Sequence, residues 1–190
     1  MSSPILIPNV FVLVEGRTEE TYINHLKERG CNYSLHVERF NGNQPLKMVK
    51  RCASRFRERG MDRRYGDLAF CVFDVDDNSL EDLVRASEYA EKHHISLIVS
   101  NPCFEIFFLF HFTDGLPLNS ASETKSLVCE HIKGYTETMD CWHILLKKKD
   151  GAVERTRRYG GIADIEQGVA GTNIWMLFDA LTDLRNRKGR

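Results

Sequence analysis

Three short apolar runs constrain this chain most, because each stops against a polar or acidic group and each is followed by a segment of helical periodicity. Val10–Val14 ends at Glu15-Gly16, Leu68–Phe73 at Asp74-Val75-Asp76-Asp77, and Ile95–Val99 at Ser100-Asn101-Pro102. Apolar runs of this length with no alternation read as strands buried on both faces. Tyr33–Phe40 reads as a more polar strand, broken by Asn41-Gly42-Asn43. Between them, Thr18 caps a helix expected to reach about Arg29, with Tyr22, Ile23 and Leu26 inward, Glu19 and Glu20 at its positive end, and Gly30 as its stop. Pro45 opens a helix with the apolar stripe Leu46, Val49, Ala53 and Phe56. Ser79 and Asp82 resemble a capping box for a third helix, ending near Lys92. Strands alternating with helices at this spacing predict right-handed crossovers and an α/β layer of four mostly parallel strands.

The second half reads as helical. Phe104–Phe112 is apolar except for Glu105 and His111, so it is expected as a buried helix. A loop over 113–120 leads to helical patterns at 121–132, 137–149 and 152–159, and Thr172 is expected to cap a last helix with Ile174, Leu177, Phe178, Leu181 and Leu184 inward. The chain has 190 residues, enough to remove roughly 70% of the unfolded surface from water. With no repeat and no long linker, one domain over 1–190 is expected, an α/β core over 1–112 carrying a helical extension over 113–190.

The net charge of -1 conceals a segregation. Lys47 to Arg64 holds eight basic residues against Glu58 and Asp62; Lys147 to Arg158 holds six against Asp150 and Glu154; the tail adds Arg185, Arg187, Lys188 and Arg190. Such asymmetry suits a protein with a polyanion-binding surface and a separate carboxylate cluster. On the helix after Pro45, Lys47, Arg51, Arg55 and Arg59 recur every four residues, a ladder that would track a phosphate backbone. The six cysteines contain no CxxC pair, and Cys71 and Cys103 sit in apolar runs, which points to a reducing cytoplasm. Cys129 and His131 with Cys141 and His143 have zinc-like ligand types, but partners two apart on a helix face different ways. Pro4 and Pro8 interrupt the first apolar run, no leader pattern surrounds it, and nothing approaches the about 18 apolar residues of a membrane span.

In an open parallel sheet, functional groups gather beyond the carboxyl ends of the strands. Glu15, the Asp74, Asp76 and Asp77 cluster, Asn101 and Glu105 all fall there, and a strand order 2-1-3-4 would bring Glu15 beside the aspartates. Converging carboxylates repel one another unless a cation sits among them, and oxygen ligands select Mg²⁺ or Mn²⁺. Glu105, flanked by core formers, needs an ion, an arginine or a hydrogen-bond donor. His111 reads more readily as a satisfied core histidine than as a catalytic group.

The residues Val14-Glu15-Gly16-Arg17-Thr18-Glu19, Phe73-Asp74-Val75-Asp76, Ser100-Asn101-Pro102-Cys103-Phe104-Glu105-Ile106 through His111-Phe112, and Ala170-Gly171-Thr172-Asn173 together resemble the RloB family. These are Toprim-fold proteins, similar to the nuclease part of overcoming-lysogenization-defect enzymes and associated with bacterial restriction and abortive infection. The resemblance implies a Toprim-like, Rossmann-like fold and metal-dependent phosphodiester chemistry, with Glu15, Asp74 and Asp76 as the acidic triad. Asp77 and Glu105 are further candidate ligands, Glu105 for a second cation, and Thr18, Glu19, Asn101 and His111 would support the ligands from behind. A lysine is expected soon after Gly134-Tyr135; this chain has Thr136-Glu137-Thr138 there, leaving Lys133 and the run Lys147 to Lys149 as candidates.

The expectation is therefore a Mg²⁺- or Mn²⁺-dependent nuclease of the anti-phage kind acting on DNA or RNA, with an ATPase protein as a further partner and self-association open. Two rivals stand beside it. A haloacid-dehalogenase-like phosphatase would want Ser or Thr four positions after its first Asp, where this chain has Asn78. A non-catalytic module that binds nucleic acid or docks on an ATPase would have little use for Glu15, Asp74 and Asp76 together.

Overall fold

The computed structural model describes residues 7–42, 44–75, 78–114 and 120–187. Asp76, Asp77, Pro4 and most of the loop expected over 113–120 lie outside them. In chain order the elements are β1 (Asn9–Val14), α1 (Arg17–Asn24), β2 (Ser34–Arg39), α2 (Pro45–Glu58), β3 (Leu68–Asp74), α3 (Leu80–Lys92), β4 (Ser96–Asn101), α4 (Glu105–Phe110), α5 (Ala121–His131), α6 (Trp142–Leu145), α7 (Lys149–Thr156), α8 (Ile162–Glu166), β5 (Gly171–Thr172) and α9 (Trp175–Asn186). Single 3-10 turns cover Arg63–Tyr65 and Leu146–Lys148.

The strands form a sheet of order β2-β1-β3-β4-β5, with β1/β2, β1/β3 and β3/β4 parallel. This is a mixed, Rossmann-like α/β architecture. Because successive residues of a strand face opposite sides, the continuous apolar runs serve two cores at once. Val10, Val12, Val14, Phe70, Val72 and Ile98 face α1, α4, α5, α7 and α9, while Phe11, Leu13, Ala69, Cys71, Phe73 and Val99 face α2 and α3. Each fully buried Val, Leu or Phe contributes about 1.5–3 kcal/mol relative to exposure, so no alternation in the sequence was needed to place these strands. Asp67, buried beside β3, accepts from the Asn9 amide at 2.6 Å and the Asp62 amide at 2.8 Å and so anchors the entry to β1.

The structure corrects several expectations. The sheet has a fifth strand among the described residues: Thr172 pairs antiparallel with Ser100 instead of capping the last helix, and the two hydroxyls meet at 3.1 Å. Gly171 permits this, since a Cβ there would stand 2.5 Å from the Tyr159 ring. Asn173 then extends the pairing with its side chain: Oδ1 accepts from the Val99 amide at 2.8 Å and Nδ2 donates to Leu97 O at 3.0 Å. The residues after 113 thus complete the sheet as well as covering it. Helix α1 ends at Asn24, five residues before Arg29, because the Asn24 side chain takes the Glu20 carbonyl at 2.8 Å and the next amides bond three residues back. The helix expected over 137–149 starts only at Trp142, whose amide is capped by Asp140 at 3.0 Å, and α8 was not expected at all. The capping box at Ser79 is present, with the Asp82 amide donating to Ser79 Oγ at 3.2 Å. Among the described residues no helix is long and apolar enough to cross a membrane.

Candidate acidic site at the strand ends

Neighbouring parallel strands in matched register end at the same edge, so the residues after β1 and at the end of β3 must meet. The Glu15 amide donates to Val72 O at 3.0 Å, and Glu15 Oε2 accepts the Asp74 amide at 3.1 Å. Glu15 and Asp74 therefore share one edge, as the strand order requires.

Glu105 approaches from the next layer. Asn101-Pro102, a cis peptide, turns the chain out of β4, and Glu105 opens α4 fully buried. Its Oε1 accepts the Tyr135 hydroxyl at 2.7 Å and lies 3.4 Å from the Thr18 hydroxyl, which is also 3.3 Å from Glu137 O. The donors that this buried carboxylate needed are thus Tyr135 and Thr18, and no arginine is among them.

Glu19 is buried in the first turn of α1. Gly16 is the N-cap, and the Glu19 carboxylate folds back on the Gly16 and Glu19 amides, the reach of a capping box. Burial pushes the Glu19 carboxyl up to about 7 against those two amide bonds, with the Glu105 and Glu15 carboxylates adding to the rise. Glu19 accordingly senses the charges of both Glu15 and Glu105. A Cβ on Gly16 would fall 2.6 Å from Glu19 Oε2. Since the Gly16 backbone is extended, Gly16→Ala should act by displacing this carboxylate, with a net loss of about 1 kcal/mol from the cap. An unchanged urea midpoint would show that the cap contributes nothing.

Lys125 is a cation near this cluster that spacing in the sequence had not located. It lies on α5, its Nζ 2.6 Å from Glu137 Oε1. Partial burial pulls its pKa down, but Glu137 and then Glu105 outweigh this and leave it raised. An open cleft of about 490 Å³ runs past Lys125, lined also by Ser122, Tyr135, Thr136 and Glu137. Lys133 is exposed on the turn before Gly134, and Lys148 and Lys149 lie over the rings of Phe112 and Phe178. The structure brings neither Lys133 nor that run to Glu105. Lys125 precedes Tyr135 by ten positions, and only the turn after α5 brings the two to one cleft.

Two other residues have structural partners. Asn101 Nδ2 donates to Val169 O at 2.8 Å, tying the loop before β5 to the end of β4. His111 is buried, with Nδ1 2.9 Å from Phe107 O and Nε2 3.4 Å from the Tyr22 hydroxyl. Nδ1–H donating and Nε2 accepting satisfies a neutral ring, and burial lowers its pKa to about 4.

The basic ladder on α2 is not one surface. Arg55 binds Glu38 through Nε at 2.8 Å and Nη2 at 2.6 Å and reaches Glu58 at 2.9 Å; Arg59, past the helix end, also binds Glu38; Arg51 lies 3.5 Å from Glu58. Arg55 and Arg59 hold the Glu38 carboxyl down to about 2. Of the four, Lys47 alone stays outside this network.

The donors collected at the strand ends are carboxylate oxygens, the set that suits Mg²⁺ or Mn²⁺. Among the described residues no three His, Cys, Asp or Glu side chains close into a metal-holding group.

A mostly parallel sheet of this order with Glu15, Asp74, Glu19 and Glu105 gathered at its carboxyl edge defines a Rossmann-like α/β protein with an acidic strand-end cluster. The chain matches the family model described as RloB-like protein over residues 10–181, and it belongs to the RloB family. No curated protein and no solved structure matches it.

Proposed function

We propose that this RloB protein is a Mg²⁺- or Mn²⁺-dependent nuclease that hydrolyses nucleic-acid phosphodiester bonds in anti-phage defence. The observation that carries this reading is the meeting of Glu15 and Asp74 across the β1/β3 edge, with Glu15 and Glu105 close enough to raise the proton affinity of Glu19. Glu15, Asp74, Asp76 and Asp77 would hold the ion, and Glu105 a second one. A divalent ion in such a site supplies positive charge to the attacking and leaving oxygens.

The chain's own groups have separate tasks. Tyr135 and Thr18 fix Glu105 by hydrogen bonds, so its carboxylate is oriented before substrate arrives. Lys125, at the cleft, offers a cation to a non-bridging phosphate oxygen, and its pairing with Glu137 keeps it at the cleft wall. Glu19, with its pKa near neutrality, can hold or release a proton behind the cluster. An ATPase partner and self-association belong to the same proposal, as settings in which the site would be switched on.

Asp74→Asn keeps the backbone amide that Glu15 accepts and removes one carboxylate. Cleavage of DNA or RNA in Mg²⁺ should fall by roughly two to three orders of magnitude, the several kcal/mol an ion supplies. Undiminished cleavage by this variant, or full wild-type cleavage in a chelator, would overturn the reading.

A further inference from the structure

The contacts of α2 divide its cations into two sets. Arg51, Arg55 and Arg59 are engaged by Glu38 and Glu58. Lys47, Lys50 and Arg57 are all exposed, and none has a carboxylate within ion-pair distance among the described residues. They stand three and ten positions apart from Lys47, with Ser54 between at seven, so they line one stripe.

The stripe crosses to α3. Lys50 Nζ lies 5.6 Å from the centre of the Tyr89 ring, and Tyr89 stacks on His93 at 4.2 Å. Arg85 and Lys92, four before and three after Tyr89, share its face of α3, are exposed, and have no ion pair among the described residues. Arg63 closes the lower end by donating to the His93 and His94 carbonyls. The acids beside this face are Glu81 and Glu88; Asp82 is held by Ser79 at 2.8 Å, and Glu91 turns to the cleft lined by Ile95, Gly161 and Met176. Five cations thus face three carboxylates, Glu81, Glu88 and the Ser79-bound Asp82.

We infer that this two-helix stripe, Lys47, Lys50 and Arg57 with Arg85 and Lys92, is the binding surface for a nucleic-acid backbone, and that Arg51, Arg55 and Arg59 are not. The inference rests on the nuclease reading for its ligand class and assigns the surface that reading lacks. Exposed cations not already neutralised within the protein can release counterions from phosphates, whereas Arg55 would first have to give up Glu38. From Lys47 to Arg57 the helix rises about 15 Å, over which one strand of a duplex presents about four phosphates. Helix α2 begins where the chain returns from the carboxyl end of β2, so Lys47 marks the end of the stripe nearest the acidic edge. Such contacts hold a strand without reading its sequence.

The test is equilibrium binding in chelator, as a function of salt, to short labelled duplexes and single strands of both DNA and RNA. The triple variant Lys47→Ala, Lys50→Ala, Arg57→Ala should weaken binding about tenfold or more at low salt. Its slope of log K against log salt should be shallower by about 2–3, close to one for each lost phosphate contact. Arg85→Ala with Lys92→Ala should flatten the slope further, and Arg51→Ala should leave it as in wild type. An unchanged slope in the triple variant, or wild-type protein that binds none of the four probes, would overturn the inference. Because these measurements need no cleavage, they separate the two readings. Slope loss in the triple variant with undiminished cleavage by Asp74→Asn would uphold the stripe and sink the metal-dependent nuclease; cleavage lost in Asp74→Asn with an unaltered slope in the triple variant would do the reverse.

Discussion

Glu105→Gln should leave the protein folded and remove most of its cleavage. A glutamine carbonyl can accept the Tyr135 and Thr18 hydroxyls in place of Oε1, so stability to urea should stay within about 1 kcal/mol of wild type. What the exchange removes is the negative charge at the head of α4. If that charge serves the reaction, turnover should drop about 100-fold, or about 2.7 kcal/mol of barrier. Glu105→Leu separates the structural share. It strands the buried Tyr135 hydroxyl and should cost about 1–3 kcal/mol for the unmade bond, on top of any repacking. Full cleavage by the glutamine variant would reduce Glu105 to a hydrogen-bond acceptor for Tyr135. A leucine variant as stable as wild type would contradict the bond itself.

The second large effect is a pH dependence that wild type conceals. His111 is lowered from 6.5 to about 4, so between those values the unfolded chain binds the extra proton and stability rises with pH. Glu19 is raised from 4.5 to about 7, so over its interval the folded chain binds the extra proton and stability falls as pH rises. Each slope is at most about 1.4 kcal/mol per pH unit, and between about pH 4.5 and 6.5 the two oppose each other. Glu19→Gln should therefore make the protein acid-sensitive, losing on the order of 2–3 kcal/mol relative to wild type from pH 6.5 to 4.5. His111→Phe should show the opposite trend, plus a pH-independent offset for the Tyr22 hydroxyl left without Nε2. Urea midpoints across this range, taken as differences from wild type, read both effects; parallel curves would mean that neither group is shifted by folding. Divalent ion bound near Glu15 should also depress the Glu19 carboxyl, so adding Mg²⁺ should weaken the Glu19 contribution.

The order of the sheet and the edge at which Glu15 and Asp74 meet were legible because they rest on local, redundant signals. A short apolar run rich in Val and Phe and bounded by turn residues suits a strand buried on both faces of a parallel layer, and a polar residue that ends it sits at the layer's rim. Glu105 was legible for a related reason, since a carboxylate among Phe104, Ile106, Phe107 and Phe108 needs a partner wherever the helix packs. What that partner is was not legible: Tyr135 lies thirty positions on, between two segments of helical pattern, where no local signal shows which way the turn sends its hydroxyl. Thr172 misled because a threonine before an amphipathic helix is a good cap in isolation. In the folded protein, the open edge of β4 offers it a better partner in Ser100, and the Asn173 amide then pairs with the Val99 amide and the Leu97 carbonyl.

The sequence by itself determined the four parallel strands, most of the core, and that acids accumulate where strands end, because periodicity, capping and burial cost act over a few residues at a time. Only the tertiary structure decided which charges remain free to act. Glu38 and Glu58 engage three of the arginines on and just past α2, so the cations of that helix without an ion pair among the described residues are Lys47, Lys50 and Arg57, at a different angle. The turn after α5 makes Lys125 the lysine whose charge reaches Glu105. Coulomb energy depends on distance through space, and residues far apart in the chain become neighbours only when the sheet and its helices close.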